Sequence, residues 1–149
     1  MNTTVNAPDL SSRPYSLSVE RLMTASPEVL YEAWTKQFDR WFAAPGTVLM
    51  EGTVNSVFFF ETRHEVQRYP HYGRFLKLEQ GRLVELTWVT GAGGTKGAET
   101  VVRVVLEPQE EGTMLRLVHA GFPDAESRDR HEQAWPMVLE QLEKMLAAE

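Results

Sequence analysis

Cysteine is absent from this chain of 149 residues, which removes disulfides, thiolate nucleophiles and cysteine-ligated zinc together. No run of about 18 apolar residues occurs, so no membrane-spanning helix is expected. The polar opening Met1 to Ser12 lacks the apolar core of a signal peptide, and the expected compartment is the cytoplasm. Basic residues are in deficit: 15 Lys and Arg against 21 Asp and Glu leave a formal charge of -6. That sign disfavours nucleic acid and anionic membrane surfaces as partners. Catalytic signatures are missing as well. There is no His-Glu-x-x-His helix and no Gly-x-Ser-x-Gly. The Gly91-Ala-Gly-Gly94 cluster falls between two predicted strands instead of opening a helix, so it is not read as a phosphate cradle.

What is present is apolar patterning. Hydrophobic residues make up 42% of the chain, enough for one domain with a real core. Residues 1–13 read as a flexible N-terminal tail and 14–149 as a single domain. Tyr15 to Met23 alternates as a strand. Ser26-Pro27-Glu28 then supplies an N-cap, a proline in the first turn and an early acid, opening a helix that runs to about Trp34. Phe38, Trp41 and Phe42 continue an apolar face into a second short helix, which Pro45-Gly46 ends. A short strand near Val48 precedes antiparallel strands at Val54–Arg63, Gly73–Glu79, Arg82–Thr90, Glu99–Glu107 and Thr113–Gly121. Turn signals at Tyr69-Pro70, Gln80-Gly81, Gly91 to Gly94 and Glu111-Gly112 separate them. Trp135, Val138, Leu139, Leu142, Met145 and Leu146 then recur at helical spacing in a long last helix ending near Ala148. The expected class is α+β.

Several local patterns recur in this order: Val19-Glu-Arg21 with Ala25-Ser-Pro-Glu28, Ala33-Trp34-Thr35 with Trp41-Phe42, and Arg82-Leu-Val84 with Thr87-Trp88. Gly112-Thr113, His119-Ala-Gly-Phe122 and Ala134-Trp135 with Leu139 and Leu142 complete the series. In this arrangement the chain resembles the START-like superfamily, also called SRPBCC or Bet v1-like, in the branch related to the C-terminal domain of the activator of Hsp90 ATPase. The resemblance implies a helix-grip fold: a curved antiparallel sheet of about six or seven strands wrapped on a long C-terminal helix, with two short helices after the first strand. The superfamily includes lipid and hormone carriers, polyketide cyclases, stress-related proteins and co-chaperone domains. Two positions depart from the family pattern, with Asn55-Ser56 where paired glycines are common and Ala134 where a glycine often precedes the helical tryptophan. Pro136 is a third peculiarity, expected either to kink the last helix near Glu132 or to mark a helix that starts only near Trp135.

With the concave face of the sheet toward the last helix, alternation turns Phe58, Phe60, Thr62 and His64 inward, then Leu76 and Leu78, then Val84, Leu86 and Trp88. Val102, Val104, Leu106, Leu115, Leu117 and His119 complete the face, and Trp135, Leu139 and Leu142 roof it. The set reads either as a plain core or as a hydrophobic cavity for a small hydrophobic or amphipathic molecule. In the second reading Phe58, Phe60, His64, Trp88, Leu117, Trp135 and Leu139 hold the ligand, with His119 and Tyr72 orienting its polar end. The competing reading of His119 is a buried imidazole satisfied by its neighbours.

No metal and no cofactor are expected. Glu61 and His64 point to opposite faces of a strand, His71 falls in a turn, and His131-Glu132 reads as a solvated helix face. No pair of carboxylates is turned inward, so a binding protein is favoured over an enzyme, with a cyclase- or dehydratase-like activity on a hydrophobic substrate as the alternative. A co-chaperone-like interaction domain is a further alternative. Phe59, Phe75 and Met114 are assigned to the outer face of the sheet, where they leave a homodimer open.

Overall fold

A computed structural model of the chain describes residues 5–147. Part of the expected tail, residues 1–4, and the expected helix end near Ala148 lie outside the described residues. The described residues form six strands and three helices in the order β1 (Tyr15–Met23), α1 (Pro27–Lys36), α2 (Phe38–Trp41), β2 (Val57–His64), β3 (Gln67–Glu79), β4 (Leu83–Trp88), β5 (Thr100–Gln109), β6 (Gly112–Phe122) and α3 (Ala125–Ala147). The strands make one curved antiparallel sheet ordered β1-β6-β5-β4-β3-β2. β1 pairs with β6, so the first and last strands are neighbours and the sheet has edges at β1 and β2. This is the expected α+β helix-grip arrangement.

Local chemistry places the elements. The Ser26 hydroxyl accepts the Val29 amide at 3.3 Å with Pro27 in the first turn, so α1 starts where an orphan amide finds a cap. Asp124 does the same for α3 by accepting the Ser127 amide at 2.8 Å. Asn55 adopts φ 67, a left-handed conformation that asparagine tolerates better than most side chains. The tail segment is tied to the body: Arg13 donates to the carbonyls of Gly121 and Glu99, each at 2.7 Å, and Leu10 packs against Gly121.

Three expectations about the strands are corrected. The turn expected at Tyr69-Pro70 lies inside β3, and the β2–β3 connection is at Glu65-Val66, with Glu65 at φ 58. Pro70 is tolerated there because it faces Glu61 on the edge strand β2 while β4 ends short of it, so no ladder bond on the other side needs its missing amide. Phe75, assigned to the outer face, is fully buried. A bulge between Phe75 and Lys77 changes the alternation, pairing Phe75 with Leu86 and Leu78 with Val84. The short strand near Val48 is a single bridge between Leu49 and Phe59.

α3 packs chiefly on β1 and touches β6 and α2. Trp135, Leu139 and Leu142 are buried, whereas Met145 is exposed. The helix runs unbroken through Pro136, which excludes a late start at Trp135. Because proline has no amide hydrogen, the Glu132 carbonyl lacks its helical donor. The space between the sheet and α3 is occupied by aromatic side chains from α1, α2 and the turn after them. The Phe38 ring lies 5.0 Å from Phe60, 5.8 Å from Phe58 and 6.2 Å from Trp88. Phe42 stacks on Trp88 at 5.8 Å, and Trp34 meets Trp135 at 6.0 Å. These separations are those of direct ring packing. No helix among the described residues is long and apolar enough to cross a membrane.

Candidate functional site

His119 is fully buried, and both its ring nitrogens are engaged. Thr100 Oγ1 donates to the Trp88 carbonyl at 2.5 Å, which commits the hydroxyl hydrogen. The contact of 2.7 Å between Thr100 Oγ1 and His119 Nε2 therefore has Nε2–H as its donor. On the other side Trp135 Nε1–H donates to His119 Nδ1 at 3.1 Å. One directed chain results, from Trp135 through His119 and Thr100 to the backbone of β4, and it requires a neutral imidazole with its hydrogen on Nε2. Burial holds the His119 ring well below its ordinary range, and the neighbouring His131 adds to the effect. A second proton would enter at Nδ1, where it would face the Trp135 N–H. With no free lone pair, this histidine joins sheet to helix and has nothing left to offer a ligand.

The other residues expected to contact a ligand are dispersed. Phe58, Phe60, Trp88, Leu117, Trp135 and Leu139 lie in the packed core. His64 is exposed beside the β2–β3 turn. Tyr72 pairs with Phe59 on the outer face and is 49% exposed. The inward place belongs to the preceding residue, His71, which pairs with Phe60 and stacks on it at 4.8 Å. The one-residue difference follows from β3 beginning at Gln67, since side chains alternate strictly along a strand.

A cleft of about 450 Å³ opens beside this packed interior. Three pieces of chain form its walls. The β2–β3 hairpin contributes Thr62, Arg68, Tyr69, Pro70 and His71; the β4–β5 loop contributes Thr90 and Gly91 to Gly94; α3 contributes Arg130, His131 and Ala134. The loop has a rigid base, because Thr90 and Thr95 exchange amide-to-hydroxyl bonds of 2.9 and 2.7 Å. Gly94 is required there, since a Cβ would stand 1.8 Å from Thr90 Oγ1. Arg130 spans the opening from α3, donating to the Gly93 carbonyl at 3.2 Å and to Glu126 at 2.5 Å. Lys96 ties the same loop to Asp124 at 2.8 Å and to Glu126 at 3.1 Å.

Two imidazoles line the cleft. His71 Nδ1 donates to the Tyr69 carbonyl at 2.9 Å, and His131 Nδ1 to the Ser127 carbonyl at 2.8 Å, leaving Nε2 of each as the acceptor. Burial lowers His71 to about 4, opposed by its bond to Tyr69 and assisted by the charge of His131. Burial also lowers His131, against the raising effect of its bond to Ser127 and with Arg130 contributing. The solvated helix face expected at His131 is corrected: its ring is half-buried, 4.9 Å from Phe122 and 5.0 Å from His119. Among the described residues no three His, Asp or Glu side chains gather as a metal site would need. A second, smaller groove of about 350 Å³ is lined by Trp41, Phe42, Ala134, Met137, Val138 and Gln141, so Ala134 borders both.

His71, His131 and the glycine loop were missed as site residues because none belongs to a motif. Only the β2–β3 register would have turned His71 inward.

Comparison with known proteins agrees with this architecture. The family described as activator of Hsp90 ATPase homolog 1-like protein matches residues 24–147. The AHSA1 protein of Silicibacter pomeroyi superposes with a TM-score of 0.76 at 26% identity, over 90% of this chain and 99% of that one. Protein CV1439 of Chromobacterium violaceum gives a TM-score of 0.75 at 24% identity, over 88% and 96%. CalU16 of Micromonospora echinospora gives 0.66 at 20% identity, over 87% and 74%. No curated protein matches the chain.

Proposed function

The chain belongs to the activator of Hsp90 ATPase homolog 1-like family, and from that premise we propose that it binds a small amphipathic molecule in the cleft between the β2–β3 hairpin, the β4–β5 loop and α3. The observation that carries this reading is the cleft itself. Its volume of about 450 Å³ falls within the range of small-ligand sites, and its walls combine Pro70 and Ala134 with the polar groups of Tyr69, His71, Thr90 and His131. The aromatic residues behind it serve as its rigid backing, because His71 is braced on Phe60 and Trp88. Ligand affinity comes from apolar burial against these walls, with the Nε2 atoms of His71 and His131 accepting hydrogen bonds from the ligand. The role is carriage or sequestration, and the buried chain through His119, closed on itself, takes no part in it.

The test is saturable binding of neutral N-phenylnaphthylamine, followed by its fluorescence, to the intact chain and to Ala134→Trp. Ala134 is exposed on α3, so the larger side chain fills the cleft without disturbing the core. Binding that is lost in Ala134→Trp at unchanged melting temperature, yet kept in Met137→Trp, which fills only the second groove, supports the proposal. Binding that survives Ala134→Trp places the dye elsewhere and refutes it.

A further inference from the structure

We infer that the occupant of the cleft is an organic anion, its apolar body against the His71 and Ala134 walls and its acid group at the Arg130 end. This rests on the binding reading above and adds the class of ligand. In a chain of net charge -6, the cleft lining carries Arg68, Arg130, His71 and His131 and no aspartate or glutamate. The carboxylates that balance the two arginines stand outside the lining and hold each guanidinium from one side. Glu61 takes Nε and Nη2 of Arg68 at 2.8 and 2.6 Å, and Glu126 takes Nη2 of Arg130 at 2.5 Å. Among the described residues Nη1 of Arg68 and Nε of Arg130 make no hydrogen bond, so each arginine is oriented by one partner and keeps donors for another. Arg130 is fixed further by the Gly93 carbonyl, at the point where the loop meets α3. A cationic ligand would meet two guanidiniums at the lining, with their carboxylate partners behind them, and a neutral acceptor would gain less from the spare donors than an anion does. An anion satisfies the spare donors.

The experiment compares two dyes with the same ring system, the anionic anilinonaphthalene sulfonate and neutral N-phenylnaphthylamine, on the wild-type chain, Arg130→Gln and Arg130→Lys. Arg130 is solvent-accessible on α3, and thermal melts verify that the variants are folded. The expected result is an anion affinity about tenfold above that of the neutral dye at low salt, as one retained charge-assisted bond provides, and shrinking at about 0.5 M salt as the charges are screened. Arg130→Gln is expected to lower the affinity of the anionic dye several-fold more than that of the neutral dye, removing most of that advantage, and Arg130→Lys to restore part of it. Equal affinities, indifferent to salt and to Arg130→Gln, would overturn the inference and leave the binding reading standing. Failure of both dyes to bind would overturn the reading and the inference with it.

Discussion

Replacing Thr100 with valine isolates the buried chain that joins sheet to helix. The two side chains are close in volume, so no cavity is introduced, and what disappears is one hydroxyl serving two bonds. His119 Nε2–H loses its acceptor at 2.7 Å, and the Trp88 carbonyl, which faces Thr100 in the β4–β5 ladder, loses the hydroxyl that donates to it at 2.5 Å. Stranding a buried polar group costs about 1–3 kcal/mol, so the loss at the imidazole should destabilise the fold by about 1–3 kcal/mol. For a domain of this size, with a urea dependence of about 1.5–2 kcal/mol per molar, the unfolding midpoint should fall by about 0.5–2 M at unchanged slope. Nitrogen-detected NMR of the wild-type ring should show its hydrogen on Nε2 throughout the neutral range. A loss below about 0.5 kcal/mol, the usual effect of an ordinary surface change, or a hydrogen found on Nδ1, would refute the directed chain and reopen His119 to ligand contact.

Trp135→Phe keeps the ring packing but leaves Nδ1 of His119 without its donor, and should cost about 1–3 kcal/mol in the same urea assay, with a coupling to Thr100→Val because both act through one imidazole. Acid should destabilise the protein in a defined window. His71, His119 and His131 all have lowered proton affinity when folded, so the unfolded state binds more protons below about pH 6.5, and stability should be flat above that value and fall as pH drops toward about 4. His71 alone contributes up to about 3 kcal/mol of that loss, and His71→Phe should flatten this part of the pH profile. Gly73→Ala should prevent normal folding, because its Cβ would stand 2.2 Å from the Thr87 carbonyl oxygen, whereas Gly91→Ala has open space and should leave the melting temperature within about 2 °C of wild type.

Much of the fold was legible because two periodicities hold over long stretches. β5 and β6 alternate without a break, so Val102, Val104, Leu115, Leu117 and His119 face inward as expected. Trp135, Leu139 and Leu142 keep one helical stripe. Legibility failed where local chemistry misled or alternation broke. Tyr69-Pro70 carries a turn signature, yet the edge of the sheet accommodates the proline. The bulge after Phe75 has no sequence marker and turned an expected outer residue into core. The site was harder to read than the fold. The inward aromatic surface was visible in the sequence, but what fills it was not. Phe38 and Phe42, read as the apolar face of a second short helix, plug the space between sheet and α3. The opening is displaced toward the β4–β5 loop, and its histidines come from segments read as turn and solvent face.

The central claim is that a small molecule occupies the cleft at the β4–β5 loop, and amide chemical-shift mapping during titration with N-phenylnaphthylamine tests it most directly. Saturable shifts should appear at Tyr69, His71, Thr90 to Gly94 and Arg130 to Ala134, the walls of the cleft, while exposed apolar residues elsewhere, such as Leu49, Val57 and Val66, stay unchanged. Shifts centred on those exposed residues, or no saturable shifts at all, would contradict the account.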